Sequence, residues 1–231
     1  MKNYILIAIF SLLIFSGINA QAPDEDQLGA WYMYFYNTNF KNSNWGIQGD
    51  FQYRDWRGLG DREQLLLRSG LTYTPENSGV KFTLGYANIS TGQFGEMDDP
   101  ILENRIYQEA LFSNTLWTRV LLTHRFRYEQ RFVESQDFRT RYRYNIFMNI
   151  PINNTALVKN TYYLAFYNEL FINGERDIGD GRTVEYFDRN RTYLGAGFAI
   201  SDSIRFQLGW MKQITNNWGK GQLQFSMHHS F

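Results

Sequence analysis

Arg125, Arg127, Glu129 and Arg131 occupy alternate positions, and Arg139, Arg141 and Arg143 repeat the spacing a few residues later. Alternate residues of a strand share one face. The spacing therefore predicts two rows of guanidinium groups on neighbouring antiparallel strands, joined by a loop over 132–137. Like charges directly opposite destabilise a sheet. Glu109, Glu129 and Glu169, bound anions or water must compensate. Two chemistries suit such a cluster. One is a buried ion-pair network that fills an interior. The other is a basic track that focuses the field of a low-dielectric wall on small anionic solutes.

Other chemistry is poorly served. The three histidines are His124, His228 and His229. None lies at metal-ligand spacing with another on a common face, so no metal is expected. His124 and His229 belong to the apolar face of their segments, and His124 has no Ser near it on its own strand. An acyl hydrolase acting at the rim would need a Ser and a His within hydrogen-bond reach. That reading is the weakest of three, and no catalytic residue and no cofactor are assigned. "GERDIGDG" (174–181) lacks the oxygen spacing and terminal Glu of a calcium loop.

The elements that must carry the arginines show period-two alternation almost throughout, broken by turn signals. Leu65, Leu67, Ser69, Leu71 and Tyr73 alternate with Gln64, Leu66, Arg68, Gly70 and Thr72. Phe138 to Met148 and Ile204 to Trp210 alternate in the same way. No long segment repeats apolar residues at three and four. Many segments exceed the about 5–6 residues usual in soluble strands and reach the about 9–11 that cross a bilayer. Aromatics make up 18% of the chain, with 16 Tyr and 19 Phe. They gather toward segment ends, as interfacial girdles would. Lipid tolerates strands only in a closed barrel. The expected fold is therefore all-β, an antiparallel up-and-down transmembrane β-barrel over 21–231.

The first 20 residues read as a secretory signal peptide, with Lys2 before a short apolar run and Ala20 placed for cleavage. There is no Cys, which excludes disulfides. Without residues 1–20 the 23 Lys and Arg become 22 against 23 acids, a net charge of −1 that suits no nucleic-acid partner. The expected location is the outer membrane of a Gram-negative bacterium, with its lipid and the barrel-assembly machinery as partners. "GQLQFSMHHSF" (221–231) reads as a final strand whose Phe231 is an assembly signal.

Connections at 74–79, 151–154 and 201–203 read as tight, and those at 90–100 and 173–185 as long loops. Eleven segments emerge, whereas single-chain bacterial barrels have even counts. Placing Phe231 at the periplasmic rim starts the segment 28–37 at the outer one. A strand is then missed, split or outside the wall, and 10 or 12 strands are expected.

"ENRIYQE" (103–109), "RFRYEQRF" (125–132), "RTRYRY" (139–144), "FYNELFIN" (166–173) and "FDRNRTYLGAGF" (187–198) occur in an order that resembles the outer-membrane family catalogued as domain of unknown function 2490. "QLGAWYMYF" (27–35) is similar to the usual start of that family, which often has Trp where this chain has Tyr107. The resemblance implies a membrane β-barrel of uncharacterised function and supplies no catalytic residue. It implies that Arg105, Glu109, Arg125, Glu129, Arg131, Arg141, Glu169 and Arg191 are recurring polar positions. The alternation leaves the faces of Arg105 and Glu109 open. The expected role is a narrow pore or binder for small anionic solutes through an Arg-rich lumen. The alternative is a plugged structural or partner-binding barrel.

Overall fold

The computed structural model describes residues 26–231, without the side chains of 96–98. The expected signal peptide lies outside the described residues. Eleven strands follow one another: β1 Gly29–Asn39, β2 Trp45–Asp55, β3 Arg62–Tyr73, β4 Val80–Gln93, β5 Glu96–Leu116, β6 Val120–Val133, β7 Arg139–Pro151, β8 Thr161–Asn173, β9 Phe187–Ala199, β10 Ile204–Ile214 and β11 Gly219–Ser230. Each pairs with its chain neighbours in an antiparallel ladder, and the sheet closes on itself.

The closure departs from the expected even count. Every segment lies in the wall, including the uncertain first one. With eleven strands, β1 and β11 run in the same direction, so the seam between them is parallel, from Gly29 opposite Gln222 to Asn37 opposite Ser230. Slanted parallel hydrogen bonds satisfy both edges there, and no twelfth strand is required. Phe231 follows the end of β11, and its amide donates to the carbonyl of Asn37.

Two connections also differ from expectation. The stretch 90–100 is not a loop. It extends the β4–β5 hairpin around Phe94 and Gly95, where Gly95 takes the positive φ of 77° that a tight turn requires. Conversely, the link after β7 spans 152–160 rather than a tight turn at Pro151–Asn154. The connection at 174–186 is long, as expected.

Alternation sets the two surfaces. Leu84, Tyr86, Phe126, Tyr142, Leu164, Leu194, Phe206 and Leu208 point outward and are exposed. Arginine, glutamate, glutamine and a set of large aromatic rings point inward. Inward tyrosines lie flat across glycines of the neighbouring strand, which lets large rings pack against the wall. A Cβ on Gly85 would meet Cζ of Tyr107 at 2.2 Å, and one on Gly197 would meet Cζ of Tyr163 at 2.2 Å. An interior apolar cluster of Trp31, Met33, Tyr163, Ala165, Tyr193 and Met211 fills the side built by β1 and β8–β10. The opposite side, β5–β7 with β8, carries the charge.

Candidate functional site

The register places the arginine rows side by side, with Arg127 opposite Arg143 and Arg131 opposite Arg139. Arg105 lies opposite Arg131 on the other flank. Such pairs need carboxylates between them, and the carboxylates are there. Glu129, 1% exposed, is the hub. Its Oε2 lies 2.6 Å from Arg141 Nη2, and its Oε1 lies 2.5 Å from Arg143 Nη1. Arg105 and Arg127 each approach it to 3.8 Å.

Glu109 takes Arg127 at 2.5 Å and Arg125 at 3.7 Å. It also accepts from Gln48 Nε2 at 2.8 Å. Glu169 Oε1 accepts from Arg125 at 2.6 Å and from Arg143 at 2.5 Å. Arg105 and Arg131 fork onto Glu103 at 2.6 and 2.5 Å. Asp188 holds Arg141 at 2.6 Å and Arg189 at 3.1 Å. Forked, charge-assisted bonds of this kind are the strong ones, and they offset the cost of desolvating both partners.

Arg105, Glu109, Arg125, Arg127, Glu129, Arg131, Arg139, Arg141, Arg143, Glu169 and Arg191 therefore all face the interior, which resolves the two faces left open. Nine of them join the network through the contacts above. Arg139 and Arg191 do not, having no carboxylate at ion-pair distance among the described residues. Arg139 sits at the edge of the cluster with an unpaired Nε. Arg191 donates Nε–H to Gln213 at 2.7 Å.

Aromatic rings organise the arginines. The Phe171 ring has Arg143 at 4.4 Å, Arg191 at 4.8 Å and Arg141 at 5.2 Å from its centroid. Trp31 has Arg54 at 3.8 Å and Arg191 at 4.7 Å. These distances suit cation–π attraction, which is stronger when water is excluded. Trp31 Nε1 donates to Glu63 at 2.8 Å.

The alternation did not single out Glu103, Asp188, Arg189, Trp31, Phe171, Arg54 or the Arg68–Asp50 pair at 2.8 Å. For most of them the signal was present. Glu103 shares parity with Arg105, Arg54 with Asp50, and Phe171 with Glu169. Asp188 lacks that signal, because it is of opposite parity to Arg191 and lies where the β8–β9 ladder shifts register at Phe171/Ile172.

Two chambers open in the interior lined by the described residues. One of about 550 Å³ reaches toward Gly79, Ser113 and Asn149. The other, about 280 Å³, reaches toward Trp56, Gln136 and Trp218, at the rim that also carries the 174–186 connection. Arg54, Arg68, Arg143 and Arg191 line both. The chambers thus meet at a waist of guanidinium groups, beside the Glu129 hub.

The histidines are placed otherwise. His124 Nδ1 lies 2.8 Å from the Tyr144 hydroxyl, and His229 Nδ1 lies 3.0 Å from that of Tyr34, both on the outer surface. His228 faces inward and stacks on Phe35 at 4.9 Å. Among the described residues no group of three or more His, Cys, Asp or Glu is placed to hold a metal ion.

A family model described as "Protein of unknown function (DUF2490)" matches residues 28–224, from the start of β1 into β11. No curated protein and no solved structure matches this chain.

Proposed function

The chain belongs to the DUF2490 family of proteins of unknown function, and on that premise we propose that it is an outer-membrane β-barrel that binds small anionic solutes in an Arg-rich lumen closed at its waist. The observation that carries this reading is the surplus of guanidinium over carboxylate inside. Eight arginines and two glutamates line the smaller chamber. Arg54, Arg139 and Arg191 have no carboxylate at ion-pair distance among the described residues. A charge without a partner in a low-dielectric interior is costly, and an anion from outside relieves that cost. The apolar outer surface supports placement in lipid, where a closed barrel leaves no open edge. The long 174–186 connection marks the extracellular rim, so the smaller chamber faces outward.

Equilibrium dialysis of the refolded chain tests this, using small anions and matched small cations at one ionic strength. Phosphate and succinate should be retained and methylammonium should not. Retention of the cation, or of neither kind, contradicts the reading.

A second reading, a plugged barrel that serves the envelope structurally, is favoured by the Glu129 hub. Its contacts span β5 to β7 and lock three neighbouring strands together. In that reading Arg141→Ala destabilises the barrel without changing what it binds.

A further inference from the structure

We infer that Arg191, with Arg54 and Gln213, forms an oxyanion site at the waist that takes a phosphate group, free or at the end of a small ester. The inference rests on the anion-binding reading above and names its site. Arg191 is 6% exposed and Gln213 is 1% exposed. The Arg191 guanidinium lies over two rings, Trp31 at 4.7 Å and Phe171 at 4.8 Å. Among the described residues its one hydrogen bond runs from Nε to Gln213 Oε1 at 2.7 Å. That leaves the Nη edge of a planar fork without an acceptor among the described residues, although it lines both chambers.

Gln213 contributes a second free donor. Its Oε1 is engaged by Arg191, and its Nε2 is buried with no hydrogen-bond partner among the described residues. Arg54 contributes a second cation. It donates to Gln52 and Gln64, which are neutral. It lies 3.8 Å from the same Trp31 centroid. The sum of the two centroid distances, 8.5 Å, bounds the separation of the Arg54 and Arg191 carbons. Both cations line the waist where the chambers meet. The carboxylate opposite Arg191 in register, Glu169, is already engaged by Arg125 and Arg143. Glu63 lines the same chamber, but its Oε2 accepts from Trp31 and Gln222.

Guanidinium forks match oxyanions in geometry, and contact with two rings restrains the fork before the ligand arrives. Two cations and a carboxamide that offers only N–H suit a doubly charged acceptor.

The test measures binding of inorganic phosphate, and in a parallel arm of glycerol phosphate, to the refolded full chain. Wild type, Arg191→Gln, Gln213→Leu and Arg205→Gln are compared, with heat-modifiable migration as the check that each barrel has formed. Whichever probe wild type binds should weaken at least tenfold in Arg191→Gln, about 1.4 kcal/mol, and several-fold in Gln213→Leu. Arg205→Gln, which removes a cation of the larger chamber only, should bind as wild type does. If Arg191→Gln fails to form a barrel, Gln213→Leu decides. Unchanged affinity in the waist variants, or an equal loss in Arg205→Gln, overturns the site while leaving anion binding in place. A wild-type barrel that holds neither probe nor any other small anion overturns the wider reading as well.

Discussion

Replacing Glu129 with Gln should destabilise the barrel by about 3–5 kcal/mol, the usual result of removing one partner from a buried ion pair. Four guanidinium groups lie within 3.8 Å of this carboxylate. Arg141 keeps Asp188, and Arg143 keeps Glu169. Arg105 and Arg127 also keep one carboxylate each, on Glu103 and Glu109. What is lost is the negative charge at the centre, so the surviving cations repel one another across β5, β6 and β7. Glutamine preserves the shape of the side chain and removes only the charge, which isolates the electrostatic part. Denaturant unfolding of the refolded barrel in lipid vesicles reads the effect. A change below about 1 kcal/mol, the scale of an exposed pair, would show that the hub is solvated rather than structural.

Leu194→Arg should cost about 2–4 kcal/mol in a lipid bilayer, the range for a cation on the lipid face at the midplane of a barrel. Leu194 is 63% exposed, and it lies midway along β9 between Phe166 and Trp210 on the neighbouring strands. On a water-facing surface the same change would be near neutral, because surface substitutions usually fall within about 0.5 kcal/mol. The two environments therefore give well-separated results at one position. Unfolding from vesicles, with Leu194→Ala as the control for lost side-chain area, measures the difference. Equal stability of the Arg and Ala variants would place this surface in water.

Much of the architecture was legible in the chain because the strand period is two and the interior is polar. Arg125 to Arg131 and Arg139 to Arg143 could be assigned to one face and to adjacent strands from spacing alone. The seam was not legible. Alternation says which side of β1 faces inward, but it carries no information on whether Gly29–Asn39 meets β11 in parallel or antiparallel. The assumption of an even count then made a correct set of eleven segments look incomplete.

At the connections, composition and hydrogen bonding disagree. The Gly- and Asp-rich stretch 90–100 has the residues of a loop, yet most of it pairs as hairpin strand. Within the site, the arginine rows stood out because charge is conspicuous on an alternating strand. Trp31 and Phe171 did not, since an inward aromatic residue looks like any other wall position until the rings of distant strands come together around Arg191. Asp188 reaches Arg141 through a register shift, and such a shift leaves no mark in the alternation.

A basic lumen closed at the waist within a lipid-embedded barrel governs the currents that the refolded wild-type chain passes in a planar bilayer under a salt gradient. Little or no conductance is expected, with a reversal potential displaced toward anion permeation in whatever current flows. A large, steady, cation-selective conductance would contradict both the closed waist and the basic lumen.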